Sequence, residues 1–477
     1  MEPSELEKEY YYHGLASRPR LVARSDFATV SWEPRYEDNH PVRKEIQNIG
    51  NHDIVGKWED SLCDKIIARL ESVDWNSIDV VRIGYKSENY APIVWISVKP
   101  GSLDSVNGLK ITSLCREDLL SAGLNVHCEI HEGSVQRLNG PPATVIPHQY
   151  PGGGHRPISL TSVLGGQRIA AEDSSTKEGT LSLYLEVGQG PKHERITCAL
   201  TCRHVVFPRT YQNEVRDDRE KQVIMPGQKT FEAIYGTEKE DLKLWESQKN
   251  DRYHVHRDAC KELITHLASL EHTSSRRIGH VLFSPPSLLA HRGKFTWLPD
   301  YAVIALGRDR FGADYNKLNN TIYIGSPTSN LKGLKIVNQG RLKPFWRPAG
   351  KSVPLGDLFE IPDPKTQDDP VFVGKSGGAS DLTFGRLNEI KSVLRVNPGG
   401  GSDFIEVWHW VIIGVGGDAF SEEGDSGSVV WDLDGRIVGI LEAGLKGQIP
   451  RVDLTYATPM QWIMDHIKEN LGPVSLL

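Results

Sequence analysis

A serine, a histidine and an aspartate, each in a context that would expose it, could cooperate here in acyl transfer. Glu423, Gly424, Asp425, Ser426, Gly427 and Ser428 precede the strand-like run Val429, Val430, Trp431. Glycines on both sides of Ser426 let the backbone turn sharply and leave the Gly424 and Ser426 N–H groups free to point at an oxyanion. A serine hydroxyl is a poor nucleophile until a base removes its proton, and that base is usually oriented by an acid. Residues 196–206 place His204 at the end of a β-branched, small-residue run that reads as a strand. Asp300 opens the apolar run Tyr301 to Leu306. Each signal alone has an ordinary alternative: a glycine-rich turn, a satisfied strand-end histidine, a turn-forming aspartate. Their joint occurrence in the order His204, Asp300, Ser426 favours chemistry.

With that order the chain resembles the chymotrypsin/trypsin-like serine peptidases of the PA clan. The family's T-x-x-H step, D-x-A-hydrophobic strand and G-D-S-G turn stand here as Thr201, Cys202, Arg203, His204; Asp300, Tyr301, Ala302, Val303; and Gly424, Asp425, Ser426, Gly427. Residues 373–385 look like the family's glycine- and threonine-rich hairpin, and residues 435–441, ending at Glu442, Ala443 and Gly444, like the strand after its serine. The resemblance implies two six-stranded antiparallel β-barrels over residues 159–477, a polypeptide substrate and no cofactor. It also implies that Ser426 attacks, His204 shuttles the proton, Asp300 orients the imidazole, and the Gly424 and Ser426 amides form the oxyanion hole. Phe420, Glu442 and Gly444 would line the substrate site. Phe420 stands near the base of the primary pocket, against a trypsin-like aspartate there. Glu442 replaces a frequent serine and would either select a basic side chain or obstruct the cleft. Asp425 is expected to hold the loop through a buried polar contact whose partner the sequence does not reveal; in zymogen-type relatives it is a freed amino terminus. Ser428 replaces a frequent second glycine.

The elements that must position these residues follow from periodicity. In residues 1–137, Leu62, Ile66, Ile67 and Leu70 recur at helical spacing, strands are expected at 78–85 and 93–98, a helix at 106–122 closed by Gly123, and a strand at 126–130. The α, β, β, α, β order suggests a small α+β domain, ferredoxin-like in part. Residues 138–158 carry Pro141, Pro142, Pro147, Pro151, Gly152, Gly153, Gly154 and Pro157 and read as a linker. The glycine triplet lacks the Lys-Ser/Thr of a phosphate-binding loop. Between His204 and Asp300 a helical insertion is expected at 229–272, carrying Phe231, Ile234, Cys260, Leu263 and Leu267 at helical spacing. Thr458 as N-cap and Pro459 at N1 would start a terminal helix docked on the second barrel.

Composition narrows the class. The 477 residues are 38% hydrophobic and 25% charged, with a formal net charge of −7, which fits a globular protein and gives no global field to gather nucleic acid. The acidic amino terminus lacks the pattern of a secretory signal, and no apolar run is long enough to span a membrane. Six cysteines without a C-x-x-C pair suggest neither a disulfide framework nor a zinc cluster. Cys198 and Cys202, about 13 Å apart in a strand, are too distant for a disulfide. His254, His256, His266 and His272 lack metal-binding spacing. Arg216, Arg219 and Lys221 alternate with acids and read as a solvated loop. Cytosol or nucleus is expected. A trypsin-like domain behind a separate amino-terminal domain resembles the fungal amino-acid-sensor endoproteases, which implies regulation by residues 1–137 and self-cleavage near the linker. The competing function is a non-catalytic binding or signalling protein on the same scaffold; an esterase lacks its G-x-S-x-G strand-to-helix context.

Overall fold

Strands dominate because β-branched and apolar residues recur in short runs punctuated by glycine and proline. The computed structural model describes residues 2–85, 90–140, 163–164, 166–174, 176–189, 194–207, 221–248, 253–286, 288–323, 352–360, 370–397 and 403–477. Most of the expected linker, its glycine triplet, Arg216 and Arg219 lie outside these residues.

The amino-terminal part comprises β1 (Arg20–Arg24), β2 (Lys44–Gln47), α1 (Cys63–Arg69), β3 (Trp75–Tyr85), β4 (Ala91–Val98), α2 (Ser105–Ser121), β5 (His127–Glu132) and β6 (Ser134–Arg137). Leu62, Ile66 and Leu70 turn one face into a core with Trp58, Ile78, Val94 and Ile130. Asp104 caps α2 by accepting the Asn107 N–H at 3.0 Å. The sheet runs β1–β5–β4–β3, with β2 also paired to β3. The expected α, β, β, α, β succession is present, but the ferredoxin-like order is not. β4 and β5 are adjacent and parallel across α2, whereas that motif leaves a strand between the two joined by its crossover. β1 and β2 were too short to announce themselves by alternation.

The first barrel is built from β7 (Arg168–Ala171), β8 (Tyr184–Gln189), β9 (Glu194–Thr201), β10 (Gln222–Ile224), then helices α3 (Gln228–Ser247) and α4 (His254–Ser269), β11 (Arg277–Phe283) and β12 (Ala302–Leu306). Its ladder order is β7–β10–β11–β12–β9–β8, antiparallel throughout. It is a half-barrel: no ladder joins β7 to β8, although the Leu181 N–H donates to the Gln167 carbonyl at 2.9 Å across the gap. The helical pair sits where the insertion was expected, around its own cluster of Phe231, Leu263, Leu267 and Leu270.

The second barrel comprises β13 (Phe372–Gly377), β14 (Asp381–Leu387), β15 (Ser392–Val396), β16 (Ile405–Gly414), β17 (Val429–Asp432), β18 (Arg436–Lys446) and β19 (Val452–Pro459), followed by α5 (Met460–Leu471) and β20 (Val474–Leu476). The ring β13–β14–β16–β19–β18–β17 closes back on β13. Counting the six barrel strands of each half in chain order, the second closes as 1–2–3–6–5–4 and the first runs in the same cyclic order but open between 1 and 2, so the chain has the chymotrypsin-like fold: mainly β, with a closed six-stranded antiparallel barrel, a half-barrel and added helices. The amino-terminal sheet runs into this barrel, because β15 pairs with β3 on one side and with the first half of β16 on the other. Hydrogen bonding is therefore continuous past residue 137.

The terminal helix differs in detail from expectation. Thr458 lies within β19 and donates its hydroxyl to Glu442, Pro459 both ends the strand and is the N-cap, and α5 starts at Met460. Met460, Ile463 and Ile467 enter a core shared by both barrels. β20 then pairs with β8 of the first barrel, so this segment bridges the halves instead of docking on the second alone.

Candidate active site

β9 ends at Thr201 and delivers His204 on a short helical turn, Arg203–Val206, while Asp300 lies just ahead of β12. β9 and β12 are paired neighbours, which brings residues 96 positions apart in sequence into contact. The Asp300 carboxylate accepts the His204 backbone N–H at 2.9 Å and faces the His204 Nδ1 at 2.5 Å. Both side chains are buried, and His204 Nε2 has no hydrogen-bond partner among the described residues. Burial pushes the Asp300 carboxyl upward. The Arg137 guanidinium at 3.3 Å and then His204 outweigh it and hold the group well below the usual carboxylate range. A carboxylate held ionised here fixes the Nδ1–H tautomer and leaves Nε2 as the basic nitrogen.

The loop around Ser426 is locked from beneath. Gly424 at φ +104° and Gly427 at φ +93° adopt conformations that side chains rarely tolerate. The fully buried Asp425 lies 3.1 Å from Lys375 Nζ, itself fully buried on β13. Its oxygens also accept the Ala379 N–H at 2.8 Å, the Ser380 N–H at 3.1 Å, the Ser380 hydroxyl at 2.6 Å and the Glu422 N–H at 2.9 Å. Burial would raise the Asp425 carboxyl; Lys375, then the Ser380 hydroxyl and these amides, keep it below its ordinary value. The partner of Asp425 that the sequence did not reveal is thus an internal lysine, Lys375.

The Gly424 and Ser426 amides converge on one atom, the carbonyl oxygen of Leu138, at 2.7 and 3.0 Å. The Leu138 N–H faces the Glu442 carbonyl at 3.3 Å and Ser426 Oγ at 3.0 Å. Preceding it, β6 adds antiparallel to β18, with Arg137 opposite Ala443 and Gln136 opposite Gly444. The Leu138 side chain is fully buried with Phe420, Trp410 and Ile412. Beyond it, Asn139 donates from Nδ2 to the His204 carbonyl at 2.8 Å and its own carbonyl accepts the Glu178 N–H at 3.3 Å. A polypeptide segment of this same chain therefore lies through the cleft.

Each sequence-predicted residue can now be placed. His204 and Asp300 are in direct contact. Ser426 Oγ donates to the Glu442 carbonyl at 2.8 Å and is not hydrogen-bonded to His204. Glu442 meets the bound segment through its backbone, and its carboxylate faces His409 Nε2 at 3.1 Å and accepts from Thr458. Phe420 packs against Leu138, and a Cβ on Gly444 would lie 3.3 Å from Leu138 Cδ1. Ser428 donates its hydroxyl to the Asp425 carbonyl at 2.6 Å. Sequence reasoning missed Lys375, Arg137, Leu138 and Glu178. A lysine within an otherwise small and apolar strand was the available signal for Lys375; nothing local marked the others.

No known family matches the chain as a sequence, and no curated protein does either. Solved structures similar to it include a glutamic acid-specific serine protease, at 12% identity and TM-score 0.32 over 66% of this chain and 100% of that one. The Rv3671c protease from M. tuberculosis is 13% identical, with TM-score 0.30, over 70% of this chain and 90% of that one. A Cellulomonas bogoriensis chymotrypsin is 15% identical, with TM-score 0.24, over 42% and 80%. The fold rests on strand order, not on these scores. Among the described residues no three His, Cys, Asp or Glu side chains converge as a metal site, and no helix is long and apolar enough to cross a membrane.

Proposed function

We propose that this chain is a serine endopeptidase in which Ser426 attacks a peptide carbonyl, His204 relays the proton and Asp300 orients the imidazole. The observation that carries this reading is the Leu138 carbonyl accepting from the Gly424 and Ser426 amides. Two preorganised donors aimed at one peptide oxygen would stabilise the negative charge that develops there in a tetrahedral intermediate. The ionised Asp300 beside His204 supports the base role. In the ground state Ser426 Oγ donates to the Glu442 carbonyl at 2.8 Å, and the base role of His204 requires it to leave that bond for Nε2. Regulation by the amino-terminal part through self-processing is the companion reading, in line with the resemblance to fungal sensor endoproteases. Six buried, unpaired cysteines fit a reducing compartment, cytosolic or nuclear.

A fluorophosphonate probe tests the activity. Labelling is expected in wild type, or in Leu138→Asp where the bound segment no longer fills the site, and is expected to vanish with Ser426→Ala. Failure of both Ser426-containing proteins to label while folded would favour the binding scaffold.

A further inference from the structure

We propose that residues 134–139 are this enzyme's own first substrate, cut between Leu138 and Asn139, and that the new Leu138 terminus then stays in the cleft as an inhibitor. This rests on the peptidase reading and adds to it a cleavage site, a substrate class and a mode of regulation.

Four features converge on one peptide bond. Its carbonyl oxygen is held by the Gly424 and Ser426 amides. Its acyl-side N–H faces the Glu442 carbonyl, so the segment is registered on β18 before the bond is reached. The Leu138 side chain is fully buried in an apolar cluster that includes Phe420, Trp410 and Ile412. The leaving side is held at Asn139, through the His204 carbonyl and the Glu178 N–H. Register, carbonyl placement, side-chain burial and leaving-side tether position the bond, and attack then requires Ser426 Oγ to leave the Glu442 carbonyl for His204.

The step balances with water as the sole co-reactant. Ser426 Oγ bonds to the Leu138 carbonyl carbon as its proton passes to His204 Nε2. The Leu138–Asn139 C–N bond breaks and that proton goes to the Asn139 nitrogen, leaving a Leu138 ester on Ser426. Water attacks the ester, giving a proton to His204; the Ser426–Leu138 bond breaks, Ser426 regains that proton, and the acid formed gives its proton to the Asn139 amine, so that a Leu138 carboxylate and an Asn139 ammonium remain. Nothing in this step removes β6 from β18. The Lys375–Asp425 ion pair keeps the oxyanion hole formed without a freed amino terminus. Latency therefore comes from occupancy, and activation means peeling β6 away. Substrates cut in trans carry leucine, or a side chain of similar size and shape, before the scissile bond.

Intact mass and amino-terminal sequencing of the purified full chain test this. Wild type is expected as two fragments that stay together, one ending at Leu138 and one beginning at Asn139, and Ser426→Ala as a single uncut chain. Leu138→Asp should slow the cut on the order of 100-fold or more, because a carboxylate cannot enter the apolar cluster, while Leu138→Met is cut. Gln136→Pro removes an N–H from the pair opposite Gly444, the next hydrogen-bonded pair after Leu138 and Glu442. It should raise hydrolysis of a leucyl peptide ester in trans about tenfold or more. A wild-type chain that stays whole, or is cut elsewhere, overturns the proposal. If Ser426 in that whole chain still labels with a fluorophosphonate, the peptidase reading survives and only the self-substrate fails. Equal turnover by wild type and Gln136→Pro overturns the inhibition.

Discussion

At the residue scale, the site depends on a buried charge pair as much as on its reacting groups. Asp425 and Lys375 are both excluded from solvent, and removing one partner of such a pair leaves an uncompensated charge at a cost of roughly 3–5 kcal/mol. Lys375→Met should therefore lower thermal stability by about that amount and disorganise the Gly424 amide, since Asp425 adjoins it in the loop. The check is a denaturant titration together with the rate of self-processing: a normal rate in the variant would mean the oxyanion hole does not need the lysine. Leu138 shows a different dependence. Its proposed role comes from its position: buried in the cluster with Phe420, it has its carbonyl on the Gly424 and Ser426 amides.

At the element scale, the helical insertion is stapled to the site through one side chain. Glu178, buried ahead of Gly179 and Thr180, accepts the Lys229 and Thr230 N–H groups at 2.7 and 3.1 Å at the start of α3. Its own N–H donates to the Asn139 carbonyl, and the neighbouring Thr180 N–H donates to the Ser426 carbonyl at 2.7 Å. A carboxylate on orphan amides at a helix start is worth about 1–2 kcal/mol. Glu178→Ala should loosen α3 and slow cleavage between Leu138 and Asn139 together. Hydrogen exchange across α3, measured beside the processing rate, separates the two effects: loss of protection at an unchanged rate would show that the insertion is not coupled to the site.

At the scale of the whole molecule, two buried carboxyls join the amino-terminal part to the second barrel. Asp79 on β3 accepts from Tyr456 on β19 at 3.1 Å and from Ser392 on β15. Asp453 accepts the Ser17 N–H at 2.9 Å. Burial pushes each from the ordinary 3.8 up to about 6. A raised carboxyl favours the folded state fully below the unfolded value, and that contribution is lost as pH rises through about 6. These joints should therefore tighten on acidification from pH 7.5 to about 5, each by about 1 kcal/mol. Asp300 and Asp425 act in the opposite sense, losing their contribution only as pH falls below the ordinary carboxylate value toward their lower folded ones. Asp79→Asn should reduce the gain in thermal midpoint between pH 7.5 and 5; an unaltered pH profile would show that Asp79 is not its source.

What could be read from the chain alone follows from local chemistry. Glycines around Ser426, the apolar runs ending at His204 and starting at Asp300, and the hairpin around Gly377 and Gly378 each carry a backbone requirement in their own neighbourhood, so the order of the candidate residues was legible, and the barrels followed from the resemblance which that order carries. So was the helical insertion, whose apolar stripe repeats with the helix period. The half-open first barrel, the continuity of β3 with β15, the start of α5 and the partner of Asp425 were not, because each is settled by pairing between segments far apart in sequence. Leu138 is the clearest case. On paper it is one leucine before a proline- and glycine-rich stretch; only the folded chain, by laying β6 along β18, puts its carbonyl on the Gly424 and Ser426 amides.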